Sequence, residues 1–203
     1  MYKFGKGVQE DTKRLTEFRN QYKIDSVITL KPIYNTKNVS RLLLTESKLG
    51  QLTLTDLNDS NIKQRISNVF PEFQTNKEIG QQDGPDFNLY EIVHLDELIF
   101  LISMDAYDTN LVQTVWTENS KIKDEYGTFV GQVIDSVLVN RTELSFHADT
   151  HYNIYATAGN SRIEYRLNGN FKNLNDTTFT SNDYSVEKWQ VEEMVVEYII
   201  WRK

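Results

Sequence analysis

The run FNLYEIVHLDELIFLISMDAYDTNLVQTVWTE, residues 87–118, holds three strand-like segments and no helical one. FNLYEIVH and LVQTVWTE mix β-branched and aromatic residues with polar ones over strand-sized lengths. Between them ELIFLISMD is apolar without a break from Leu98 to Ile102, which suits a strand buried on both faces. Strands that follow one another directly predict an antiparallel sheet rather than a parallel α/β fold.

The same reading extends in both directions. SRLLLTE and QLTLTDL read as short strands, the second alternating at Leu52 and Leu54, and DSVITLKPIY as another that stops near Pro32. DSNIKQRISNVFPEF puts Ile62, Ile66, Val69 and Phe70 on one helical stripe, with Asp59 or Ser60 to cap it and Pro71 to end it. Helices are also expected at 11–22 behind Asp11 and over FVGQVIDSVLVNRTEL, where Val130, Ile134, Val137 and Leu138 recur at roughly helical spacing. YNIYAT, SRIEYRL and EEMVVEYIIWRK complete nine or ten strands. The expected class is α+β, mainly antiparallel β-sheet with two or three helices.

Residues 1–48 read as an N-terminal segment and 49–203 as the body. A weak echo within the body, 49–119 against 120–203, places Trp116 and Trp201 at matching strand ends. Two readings stay open: two similar halves, or a Trp that simply anchors two unrelated hairpins.

The chain has 203 residues, no cysteine, ten Phe, eleven Tyr and three Trp. A domain of this size buries roughly 70% of its unfolded surface and folds without staples. The lack of cysteine removes disulfides, thiolate catalysis and cysteine-based metal clusters. Net charge is −7, divided as +5 over residues 1–50 and −12 over the remainder. An acidic body repels a phosphate backbone, so nucleic acid is not an expected partner. The basic start suits either an anionic membrane surface or an ordinary solvated position beside the acidic body.

Candidate chemistry is sparse. In SKIKDEYGTFVGQVIDSV, residues 120–137, Gly127 and Gly131 lack the third glycine of a dinucleotide loop and the lysine of a P-loop. They read as a tight turn and a close backbone approach. FHADTHYN alternates His147, Asp149 and His151, which on a strand would share one side as a possible metal face. The competing reading is a solvated loop, and the remaining histidine, His94, is distant in sequence. MDAYDTN and TDLNDSN cluster oxygens but lack the calcium-loop frame, so turn chemistry accounts for them. No nucleophile motif is present, and no catalytic, cofactor-binding or metal-binding residue is assigned.

LGQLTLTDLNDSNIKQRISNVFPEF, SKIKDEYGTFVGQVIDSV, SRIEYRLNGNF and KWQVEEMVVEYIIWRK, in that order over residues 49–203, resemble the RpoE-regulated lipoprotein (YfeY-like) family. The resemblance implies an exported bacterial envelope protein of unknown activity, on the periplasmic side of the outer membrane, with a lipid on an N-terminal cysteine. This chain departs from that pattern in having no lipobox cysteine, and an N-terminal anchor is expected to be either absent or outside this sequence. The expectation is a non-enzymatic envelope domain that needs no cofactor and binds a protein, lipid or glycan. Two alternatives remain: a carboxylate- or metal-dependent hydrolase, and an acidic intracellular inhibitor or immunity-type protein that meets a basic partner.

Overall fold

The computed structural model describes residues 42–81, 84–149, 151, 153–169 and 183–202. The expected helix at 11–22 and strand at 25–34 lie outside these residues, as does most of the 1–48 segment. The body is α+β, and nine strands form one antiparallel sheet. They are β2 (Gln74–Gly80), β3 (Phe87–His94), β4 (Glu97–Met104), β5 (Val112–Thr117), β7 (Ser145–Asp149), β8 (Ile154–Thr157), β9 (Ile163–Asn168), β10 (Asp183–Val186) and β11 (Val195–Arg202). Their order across the sheet is β10-β7-β8-β9-β11-β5-β4-β3-β2. A two-residue parallel pair, β1 (Leu43–Leu44) with β6 (Lys123–Asp124), stands apart from it.

The meander expected from residues 87–118 is present as β3-β4-β5. β3 turns into β4 through Leu95 and Asp96, both left-handed at φ 51° and 62°, as a two-residue hairpin with the sheet's own twist requires. Outward from the central β5–β11 pair run β4, β3, β2 on one side and β9, β8, β7 on the other. Trp116 and Trp201 nevertheless point to opposite faces, because Trp116 pairs with Ile200 and Trp201 with Val115.

Three α-helices occur among the described residues: α1 (Ile62–Val69), α2 (Ile134–Val137) and α3 (Lys188–Val191). α1 buries Ile62, Ile66 and the following Phe70, whose ring meets Phe100 of β4 edge-on at 6.2 Å. Its N-cap is Asn61, not Asp59 or Ser60. Asn58 and Asn61 exchange side-chain-to-backbone bonds there, which frees Asp59 for another role. QLTLTDL is not a strand. Leu49 and Leu52 exchange backbone bonds across a tight turn, and Leu54–Asp56 is a single 3₁₀ turn. Its leucines are buried as the alternation suggested, but by turning. The helix expected over 129–144 shrinks to four residues because Gly131 and Ile134 donate their amides to Val196 and Met194.

Successive residues across the sheet show how its two faces differ. Tyr90, Ile102, Val115, Trp201 and Ile163 form one row, all buried on the helix side. The neighbouring row, Asn76, Glu91, Leu101, Trp116, Ile200 and Glu164, lies on the opposite face. There Trp116 and Glu91 are part-exposed, and an antiparallel sheet can leave such a face to water.

Candidate functional site

The charged residues of the core converge around Arg141, which follows α2 and is fully buried. Its Nη1 donates to the Tyr165 hydroxyl at 2.8 Å, its Nη2 to Ser161 Oγ at 3.0 Å and its Nε to Glu143 at 3.1 Å. The guanidinium also lies 4.0 Å from the centre of the Tyr126 ring, a cation–π stack. Tyr165 in turn donates to buried Asp124. The second Asp124 oxygen accepts the amides of Tyr126 and Thr128 at 3.0 and 2.8 Å.

Glu46 closes the network from the N-terminal side. It accepts from Ser161 Oγ, from the Arg162 amide at 2.6 Å and from the Tyr126 hydroxyl at 2.8 Å. Its own carbonyl accepts from Trp201 Nε1. Burial works against the charge of Glu46, but these donors and Arg141 hold its carboxyl below the usual range. At Asp124 the balance is reversed, and burial pushes the carboxyl up despite Tyr165 and Arg141. Burial, then the bond to Glu46, pushes the Tyr126 phenol up to about 12.

A depression of about 400 Å³ opens over this network, lined by Glu46, Tyr126, Arg141, Glu143, Ser161 and Arg162 among others. Both oxygens of Glu46 and of Asp124 are occupied by donors of the protein itself. Donors from separate segments meet on each of these carboxylates, which ties the loops that carry them together. Sequence spacing gave no sign of the network, since Glu46, Asp124, Arg141 and Tyr165 come from four separate segments.

The glycine corner belongs to the same network. Gly127 and Gly131 take φ of 83° and 93°, which only glycine adopts at little cost. The amide of Gly127 donates to the Asp124 carbonyl and that of Gly131 to Val196. With Tyr126 and Thr128 spent on Asp124, the amides of Tyr126, Gly127, Thr128 and Gly131 all have partners within the protein.

His147, Asp149 and His151 do not form one row. His147 and Asp149 share a face of β7, which ends at Asp149, and His151 lies in the following turn. Asp149 Oδ1 accepts the amides of His151 and Asn153, and Oδ2 accepts from the Asn153 side chain, each at 2.9 Å. His147 stacks on Tyr155 with ring centres 5.4 Å apart. His94 ends β3 on the far side of the sheet, against Phe73. Among the described residues no three His, Asp or Glu side chains are grouped to hold a metal ion. Asp105 and Asp108 cap their own loop, accepting the amides of Tyr107, Asp108 and Asn110.

The remaining candidate is the face of the sheet that carries no helix among the described residues. Part-exposed Leu89, Val93, Trp116 and Tyr198 lie on it beside Leu101 and Ile200, with charged residues interspersed. Aromatic anchors set among polar groups are the composition of a protein-docking surface. Among the described residues no helix is long and apolar enough to cross a membrane.

No family model matches the sequence, and no curated protein matches it. Among solved structures, the fold is similar to that of the uncharacterized protein YfeY from Escherichia coli. The TM-score is 0.57 at 17% identity, covering 79% of this chain and 99% of that one. The likeness is one of fold, and it is the fold that the YfeY-like resemblance of residues 49–203 implies.

Proposed function

We propose that this chain is a non-catalytic domain of the bacterial cell envelope, facing the periplasm, that docks a partner protein on the face of its sheet opposite the described helices. The observation that carries the docking is part-exposed Trp116, set between buried Leu101 and Ile200 at the centre of the face opposite the described helices. A tryptophan held in a rigid sheet loses little freedom on binding, which is why such residues dominate interface energies. A lipid carrier would need a deep apolar groove, whereas the depression over Arg141 is lined by Glu46, Arg141, Glu143 and Arg162. The envelope location is what the sequence resemblance of residues 49–203 implies.

Photo-cross-linkable residues placed at Leu89 or Trp116, and for comparison at Val139 or Trp189 on the helix side, test the docking in the producing bacterium. Adducts from the sheet face in an envelope fraction are expected. Adducts from the helix side alone, or a chain found only in the cytoplasm, would overturn the proposal.

A further inference from the structure

Among the described residues, the face opposite the helices divides into two halves of unlike electrostatics. On β9 and β11 the charges are matched: Arg166 pairs with Glu197 at 3.3 Å and Arg202 with Glu164 at 2.8 Å. Arg166 also lies 5.2 Å from the Tyr198 ring centre. On β2 to β5 they are not. Glu78, Glu91 and Glu118 flank Leu89, Leu101 and Trp116, and no cation among the described residues pairs with any of the three. Lys77, the lysine within β2, faces the helix side and donates to Asp59.

From this we infer that the β2–β5 half receives a basic protein surface, one that sets apolar side chains on Trp116 and Leu89 and Lys or Arg against the three glutamates. The inference rests on the docking reading above and adds the partner's chemistry. Unmatched carboxylates beside an apolar row repel an anionic bilayer, a nucleic acid and a second copy of the same face. A small cation would satisfy the charge but leave the apolar row wet. A protein with basic and apolar side chains answers both. Four strands about 4.8 Å apart and about 20 Å long offer roughly 400 Å², half of one side of a standard interface. The contact is therefore expected to be weak, fast-forming and sensitive to salt.

The test uses the full chain, isotope-labelled for NMR. The probes are an oligolysine and the same peptide with leucine at every third position. Shifts should gather at Asn76, Leu89, Glu91 and Trp116, and the leucine-bearing peptide should bind about 10-fold tighter. Raising salt from about 50 to about 300 mM should abolish binding. Glu78→Lys with Glu91→Lys and Glu118→Lys should also abolish it, and the matching glutamine triple should weaken it. Asp56→Lys with Asp135→Lys and Glu193→Lys, the same charge change on exposed sites elsewhere, should leave it nearly intact. Unchanged melting of each variant shows that folding is not the cause.

Equal loss in the control triple, or shifts spread over every acidic surface, would reduce the effect to net charge and overturn the inference. So would preference for phosphatidylglycerol vesicles, pairing of two copies through this face, or occupation of it by the chain's own residues 1–41. If cross-links at Trp116 in the bacterium survive the glutamate-to-lysine triple, docking stands and only the basic partner falls.

Discussion

Two carboxylate–tyrosine–cation clusters stand on the helix side of this sheet, and they behave in opposite ways. In one, Asp59 accepts from Tyr90 at 2.6 Å, from Lys77 at 3.0 Å and from Asn88 at 2.7 Å. In the other, Asp124 accepts from Tyr165, which also receives a bond from Arg141. The Asp59 side chain keeps 29% of its surface in water, whereas Asp124 is 1% exposed. The Tyr90 hydroxyl, then Lys77 and Asn88, hold the Asp59 carboxyl below its usual range. Burial lifts that of Asp124 although its donors are as good. Similar bonding chemistry thus gives shifts of opposite sign, and loss of water decides between them.

The sharpest break between the clusters should come from their cations. Arg141→Met removes a buried charge that four partners surround, leaving Asp124 without compensation and Tyr165, Ser161 and Glu143 short of a donor. Breaking a buried ionic network in this way costs about 3–5 kcal/mol, read as a lower urea midpoint at unchanged slope. Arg141→Lys should recover little, since an ammonium cannot reach three directions and stack on Tyr126 at once.

The tyrosines come next. Tyr165→Phe leaves a buried carboxylate and a buried guanidinium each short of a partner, at a cost of about 2 kcal/mol. Tyr90→Phe removes the 2.6 Å bond, but Asp59 keeps Lys77, Asn88 and water, so about 1 kcal/mol is expected. Equal losses would show that burial does not separate the two clusters.

None of this contrast could be read from the sequence, although much of the sheet could. β3, β4, β5, β8, β9 and β11 announce themselves because their inward residues must be apolar, and that requirement is written locally. β2, QTNKEIG, went unnoticed because an edge strand with mostly exposed side chains carries no such pattern. β10, at the other edge, has only four residues, too few to carry one. The β3–β4 turn lacks the Asn-Gly signal, since Leu95 is held left-handed by the strands rather than by its own preference. Arg141 sits in NRTEL and reads as a surface residue; only the packing of segments far apart in the chain buries it. The two glycines were legible as a bend, yet the aspartate that the bend wraps was not.

Acid should separate the two aspartates by sign. Asp59 binds its proton less readily folded than unfolded, so its stabilisation is complete above the unfolded value of 3.8 and is lost as pH falls through the lower folded value. Asp124 binds its proton more readily folded, so its ionisation penalty is relieved as pH falls through the raised value towards 3.8. Asp59→Asn should therefore flatten the acid side of the stability profile, and Asp124→Asn should steepen it. Urea midpoints between about pH 3 and pH 7 measure both slopes, and slopes of the same sign would refute the assignment.

The smallest effect is expected at Lys77, whose 3.0 Å bond to Asp59 looks the equal of any in the buried cluster. The two side chains keep 37% and 29% of their surface, so water and salt screen the attraction and both chains give up rotamer freedom to form it. Asp59 also retains Tyr90 and Asn88 when the lysine is gone. Lys77→Ala should cost no more than about 0.5 kcal/mol at low salt and less at high salt. A loss that approaches that of Arg141→Met, or one that salt does not reduce, would mean that Asp59 is drier than its exposure indicates.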